Sequence, residues 1–215
     1  MLEVLYEDNH IIVVRKEANI PSQEDSSHDL DLLTIVKKYI KKKYNKPGNV
    51  YIGLIHRLDR PVGGVMVFAR SSKAASRLNK QIREKQMQKK YYAVVHGILK
   101  EKKGKLIDKL EKLPTGNTIV SKNGKESILS YEVIKEKDNM SLVDISLETG
   151  RHHQIRVQFA SRNHPLCGDQ RYGNDKGENI ALFAYELSFF HPISKEKLTF
   201  HIQPKENVYF TKFEL

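Results

Sequence analysis

Between Gly53 and Arg70 the chain reads GLIHRLDRPVGGVMVFAR. Two apolar, strand-forming runs flank the cluster His56-Arg57-Leu58-Asp59-Arg60, and Pro61 and Gly63-Gly64 follow it. Charged groups near a core are strongly destabilising unless paired and hydrogen-bonded. The chain must therefore turn at Asp59, with a strand near 51–55 before it and another near 65–69 after it. Proline and paired glycines permit a tight turn and the close approach of another molecule. Taken alone, a carboxylate between two arginines reads equally as a structural ion pair or as a chemical group. Residues two apart in extended chain share a face, so Arg57 can either pair with Asp59 or point away from it.

The flanking sequence supplies the rest of an α+β pattern. Strands are expected at 2–6 and 11–15 around an Asp8-Asn9 turn, then a loop over 16–28. Leu32, Leu33, Val36 and Ile40 recur at helical spacing, which predicts a helix from Asp29 or Asp31 to Tyr44 that stops at Pro47-Gly48. A second helix is expected from Ser71 or Ser72 to Lys85, with Ala74, Ala75, Leu78 and Ile82 inward. A strand follows over 91–99. Residues 100–125, with Gly104, Pro114, Gly116 and Gly124, read as turns with short strands. Strands at 131–135 and 142–148 flank Asp138-Asn139. The alternation of Val143, Ile145 and Leu147 leaves one face of the second strand to water. Gly150 breaks that strand, and a helix is expected over 151–162 with Ile155, Phe159 and Ala160 inward. A Gly- and Asp-containing loop over 164–179 leads to a last hairpin, 181–190 with 197–203. Nothing divides the chain by composition, so a single α+β domain over 1–215, mostly antiparallel, is the simplest account.

No apolar run approaches a membrane span. The N-terminal residues lack the basic start and cleavage site of a signal peptide. A single cysteine, Cys167, excludes an internal disulfide framework and a Cys-based zinc site. A cytoplasmic location fits these features. The net charge is +11, which favours a polyanionic partner, nucleic acid before membrane. Residues 70–90 hold eight Lys or Arg against one acid, Glu84, directly beside the Asp59 stretch. The earlier run of Lys37, Lys38, Lys41, Lys42, Lys43 and Lys46 suits a helix C-terminus and reads either as a solvated face or as an RNA contact.

Two further stretches carry chemistry. Lys89-Lys90-Tyr91-Tyr92 brings an aromatic ring into a strand from a basic pair, as a base-stacking residue would; a core tyrosine fits the same pattern. Glu148 to Arg156, ETGRHHQIR, places a glycine break before a donor-rich helix, which suits an anion. Adjacent helical residues such as His152 and His153 point about 100° apart and do not converge on one metal ion. No HExxH or comparable spacing occurs, so no metal is expected.

Together, HRLDR, KKYYAVVHG and LETGRHHQIRVQFASRNHPLCGDQRYG, in this order and spacing, resemble the pseudouridine synthases. The match is specifically to the RluA-like family, which acts on ribosomal or transfer RNA. The resemblance spans nearly the whole chain, from VLYEDNHIIVVRKEANIPSQ through SSKAASRLNKQIRE to the third motif. It implies a central, mostly antiparallel sheet flanked by helices, and a uridine-to-pseudouridine isomerisation needing no cofactor. By the same resemblance Asp59 is the nucleophile, attacking C1′ of the sugar or C6 of the base. Tyr91 stacks on the flipped base and helps remove a proton. Arg156 pairs with Asp59, and Arg57 fills the space the uridine leaves. His56, Arg60, Lys89, Arg151, His153 and Gln154 are the further candidates for RNA contact.

The chain departs from the family at Val62-Gly63-Gly64 (usually Thr-Ser-Gly), His152 (usually small), Gln158 (usually His) and Lys16-Glu17 (usually Lys-Pro). The motif position leaves no room for the additional N-terminal S4-type RNA-binding domain of many relatives, and a monomer is expected. An RNA-binding protein without activity would not need Asp59, Tyr91 and Arg156 together. A metal-dependent hydrolase would need ligand spacings that are absent.

Overall fold

The computed structural model describes residues 2–175, 179–205 and 207–215. Of the loop expected over 164–179, residues 176–178 lie outside those described. The chain forms two compact units: Met1–Met87 with Glu186–Ile202, and Gln88–Tyr185 with Gln203–Leu215. The fold class is α+β, with a mostly antiparallel sheet and, among the described residues, four helices.

The first unit is built on β1 (Val4–Glu7), β2 (Ile11–Lys16) and β4 (Gly63–Ala69), paired antiparallel in that order, with the short β3 (Gly53–Leu54) also on β4. Every residue of β2 and β4 is buried, so these strands form the unit's core. The β1–β2 turn is held by Asp8, whose carboxylate accepts from the backbone N–H groups of His10 and Ile11. Helix α1 (Leu32–Lys43) is capped by Asp31, which accepts from Thr34 N–H at 3.0 Å. It ends before Pro47 and buries Leu32, Val36 and Ile40.

Helix α2 (Ser72–Arg83) is capped by Ser71 and buries Ala74, Ala75 and Leu78 as expected. Its fourth inward residue is Gln81, not Ile82. The Gln81 amide donates to Phe190 O (2.7 Å) and accepts from Phe190 N–H (2.8 Å), so a side chain takes the place of a neighbouring strand. Phe190 ends β10 (Leu182–Phe190), which pairs antiparallel with β11 (Lys197–His201) in the expected hairpin.

The second unit runs β5-β9-β8-β6-β7, where β5 is Gln88–His96, β6 Lys103–Lys112, β7 Thr118–Val120, β8 Lys125–Lys137 and β9 Met140–Leu147. Asp138 and Asn139, both with positive φ, close the β8–β9 hairpin. The expectation of short strands over 100–125 fails at β6, a full ten-residue strand. Lysine reads as a poor strand former. Here Lys103, Lys105 and Lys109 face solvent while Leu106 and Leu110 are buried on the other side.

The wet face expected on β9 is wet only at Ser146. Leu142 is buried, and half-buried Asp144 accepts from Tyr185 O–H at 3.0 Å. Tyr185 in turn stacks on Tyr92, the register partner of Asp144, at 3.8 Å. Helix α3 (Gln154–Ala160) starts three residues later than expected, because His153 is left-handed (φ 52°) and a separate turn joins Arg151 O to Gln154 N–H. A short α4 (Val208–Lys212), capped by Asn207, was not legible in the sequence. Among the described residues no helix is long and apolar enough to cross a membrane.

Candidate active site

In the first unit Asp59 lies half-buried between β3 and β4, on a turn closed by Val62 N–H donating to Asp59 O at 2.9 Å. Three groups hold this turn from inside. His56 is buried, and its Nε2 accepts from Val67 N–H at 3.2 Å, which places the imidazole proton on Nδ1. Ser22 exchanges two bonds with Leu58, accepting from its N–H at 3.1 Å and donating to its carbonyl at 2.8 Å. Lys16, 0% exposed, donates its ammonium to Arg60 O (3.0 Å), Val62 O (2.7 Å) and Glu17 O (3.1 Å). Burial pushes the Lys16 pKa down to about 7, against the upward pull of Asp59 and Glu17.

Inside and outside alternate along the motif. His56 and Leu58 are buried, Arg57 is exposed and Asp59 half-buried. Arg57 has no hydrogen-bond or ion-pair partner among the described residues. Arg60 turns back to Ser27 and Asp29 on the surface. Gly64 has φ 142°, open to glycine and strained for other residues, whereas Gly63 has an ordinary φ. Only the second glycine of the pair is therefore required by the backbone.

In the second unit Tyr91 is buried on β5, opposite Ile145, while Tyr92 is committed to Tyr185. Half-buried Lys89 has its ammonium pushed down to about 8 by burial. Arg156 is the third residue of α3 and forms a two-point ion pair: Nε to Asp169 Oδ2 at 2.8 Å and Nη2 to Asp169 Oδ1 at 2.7 Å. The two side chains are 7% and 0% exposed. Burial raises the Asp169 pKa, but Arg156 and the N–H groups of Arg171 and Tyr172 outweigh it and hold the carboxyl low. The guanidinium also lies over the Tyr172 ring, 5.1 Å from its centroid. A guanidinium carries five donors, so this fork does not exhaust it.

The segment before α3 is a bonded network rather than an open row of donors. Tyr172 Oη accepts from Thr118 N–H (2.9 Å) and is also hydrogen-bonded to His153 Nδ1 at 2.7 Å. Burial, helped by Arg156, pushes the His153 pKa down to about 3, so this imidazole is neutral at physiological pH. His152 stacks on His153 at 3.7 Å, and its Nδ1 meets Thr118 Oγ1 at 2.8 Å. The larger side chain at this position is thus used to hold β7. Gln154 Oε1 accepts from Arg151 N–H (3.0 Å) and from Thr149 O–H (2.9 Å). Arg151 is exposed and donates to Glu126 O. Gln158, fully buried, donates to Asp108 and Ser127 O. Buried Cys167 has its thiol pushed up to about 12 and is no nucleophile.

The motifs thus brought out Asp59, Arg57, Tyr91 and Arg156, but not the residues that hold them. Lys16 and Ser22 carry no distinguishing pattern of their own, and Asp169 and Tyr172 lie inside the third motif, in GDQRYG, without a role read from them. In the sequence Lys16 stands out only through the Lys16-Glu17 departure from the family.

Comparison with known proteins places this geometry. The family model described as RNA pseudouridylate synthase matches residues 10–161. The "Uncharacterized RNA pseudouridine synthase" of Aquifex aeolicus (strain VF5) is 34% identical, over 95% of this chain and 70% of its own length. Ribosomal large subunit pseudouridine synthase C of Buchnera aphidicola subsp. Schizaphis graminum is 32% identical over 98% and 69%. The fold matches the solved structure of human RNA Pseudouridylate Synthase Domain Containing 4, with a TM-score of 0.81 at 21% identity, over 97% of this chain and 90% of that one. With HRLDR, the tyrosine strand and TGRHHQIR in order, the chain belongs to the RNA pseudouridylate synthase family, in its RluA-like group, and is an RNA pseudouridine synthase.

Proposed function

We propose that Asp59 is the nucleophile that isomerises a uridine in structured RNA, and that the whole chain acts as one catalytic domain. The observation that supports this most is the Asp59 turn itself. A half-buried carboxylate sits on a turn held by Lys16 and Ser22 beside the exposed Arg57, which has no partner among the described residues. The target uridine flips out of its stack to reach it. Asp59 attacks C1′ or C6; the N1–C1′ bond breaks, the uracil turns, a C5–C1′ bond forms, and the bond to Asp59 breaks, which restores the carboxylate. C5 loses a proton and N1 gains one, so the product is an isomer. One carboxylate suffices, whereas glycoside hydrolysis generally uses two.

In this reading Arg156, oriented by Asp169, is the catalytic arginine. Tyr91 stacks on the uracil and assists proton removal. Arg57 occupies the gap in the RNA, and His56, Arg60, Lys89, Arg151, His153 and Gln154 line or support the RNA path. His56, His153 and Gln154 would act from inside, through the segments they hold. The enzyme would work as a cytoplasmic monomer.

Ribosomal RNA is the first substrate to test, since the Buchnera relatives bear the name of the large subunit, with transfer RNA second. Total RNA from a strain lacking the enzyme, incubated with it, should gain pseudouridine at defined positions. If folded enzyme adds none, the reading is wrong.

A further inference from the structure

We infer that the outward face of α1, with Tyr44 at its end, is a binding surface for the RNA phosphate backbone, separate from the residues proposed for chemistry. The inference rests on the enzyme acting on RNA. Residues 32–46 carry six lysines and no acid. Lys37, Lys38, Lys41, Lys42 and Lys46 are all exposed, and none has an acidic partner among the described residues. Lys43 alone is paired, with Glu7 at 2.8 Å.

The helix dipole favours cations only in the last turn, which accounts for Lys41, Lys42 and Lys43. Lys37 and Lys38 lie earlier. Lys37 with Lys41, and Lys38 with Lys42, are like charges one turn apart, which weakens an isolated helix. Four exposed lysines of the second unit are arranged differently. There Lys102, Lys103, Lys105 and Lys135 each face a glutamate at 2.6–2.8 Å. Those four lysines are paired, whereas the exposed lysines of residues 37–46 other than Lys43 have no acidic partner among the described residues, so their charges stay available.

The end of the face adds a ring. Tyr44 is 44% exposed, with the Arg70 guanidinium 4.7 Å and the Lys43 ammonium 5.6 Å from its ring centroid. The nearby acid, Glu7, is neutralised by Lys43 and Arg70 and accepts from Tyr39 and Tyr44. It presents no free negative charge to repel a phosphate. An exposed ring flanked by cations, at the end of a row of ammonium groups, suits a polyanion with stacking bases. Buried Leu32, Val36 and Ile40 hold the helix to its unit, so the row is presented rigidly.

The test replaces Lys37, Lys38, Lys41 and Lys42 together by Gln, a good helix former. The control replaces Lys102, Lys103, Lys105 and Lys135 by Gln, with the same change in charge. Binding of ribosomal RNA from a strain lacking the enzyme is measured from low to high salt, in an Asp59→Asn background so that turnover does not intrude. The α1 variant should bind at least about tenfold more weakly near 100 mM salt. Its log Kd against log salt slope should shrink by about three, while circular dichroism and Tm are retained. In the Asp59 enzyme the loss should fall on KM rather than kcat.

Unchanged affinity and slope would overturn the inference, as would an equal loss in the control. So would loss of binding to phosphatidylserine vesicles with RNA affinity intact, which would assign the face to a membrane. Failure of the catalytic reading would show differently: no pseudouridine from the unmodified enzyme, whatever the binding data.

Discussion

The Asp59 turn and the Arg156 segment are held in opposite ways. Asp59 stands on a turn fixed largely through its backbone: Ser22 and Lys16 bond carbonyls and an N–H of the motif, and His56 bonds β4. Arg156 is fixed through its side chain, by a buried two-point ion pair and an aromatic network. On the proposed mechanism, a backbone-held turn positions the carboxylate for attack. On the same proposal, a side-chain-held cation would serve as a fixed field. The difference predicts that substitutions at Asp59 act on rate, and those around Arg156 on stability as well.

The largest effect is expected at Asp59. Asp59→Asn should reduce pseudouridine formation by more than ~10⁴-fold, as loss of a nucleophile does. Tm and RNA affinity should stay near those of the unmodified enzyme. Binding lost in step with activity would erase the contrast.

Next is the ion pair. Arg156→Ala or Asp169→Ala each leaves a buried charge alone, which costs about 3–5 kcal/mol, read by urea unfolding. Because the two share one interaction, the double variant should lose less than the sum. An unchanged Tm in either single variant would refute the structural half of the comparison.

Lys16 tests the other side. Its pKa is near 10.5 unfolded and about 7 folded, so between those values the unfolded chain holds the extra proton. Stability contributed at this site therefore rises as pH increases from about 7 to 10.5, and the burial penalty is in full force below 7. The slope is at most about 1.4 kcal/mol per pH unit. Lys16→Met should flatten the rise relative to the unmodified protein. It should also lower kcat more than it raises KM, because the Arg60 and Val62 carbonyls lose their donor. Parallel stability curves from pH 7 to 10 would count against a buried, depressed ammonium.

The smallest effect belongs to His152. His152→Ala removes one bond to Thr118 and one stacked ring, worth about 1 kcal/mol, and should leave kcat within about threefold. Titration by NMR should also find His153 still neutral at pH 5. A midpoint near 6.5 would mean that the network does not exclude water there.

Local rules read from the chain survive in the structure where a single residue type carries them. Asp31 and Ser71 cap their helices, Asp8 holds its turn, and Asp138-Asn139 closes its hairpin. They fail where the outcome depends on what lies opposite. Strand β6 is extended because β8 pairs with it along eight residues, although its lysines argue for a loop. Helix α3 is cut short by His153, whose left-handed backbone comes with a Tyr172 bond from nineteen residues away. Gln81 turns inward because Phe190 offers it both halves of a strand bond.

The sequence by itself determined the family, the identity of Asp59 as the group to watch, and the strand–turn–strand that presents it. These follow from residue types at short, fixed spacing, which are read without knowing the fold. The tertiary structure alone decided what holds them. Lys16 is a strand-end lysine until burial and three carbonyls make it the post under the Asp59 turn. Asp169 is a loop acid until folding brings it to Arg156. Desolvation and pairing are properties of three-dimensional neighbours, and no local pattern along the chain encodes them.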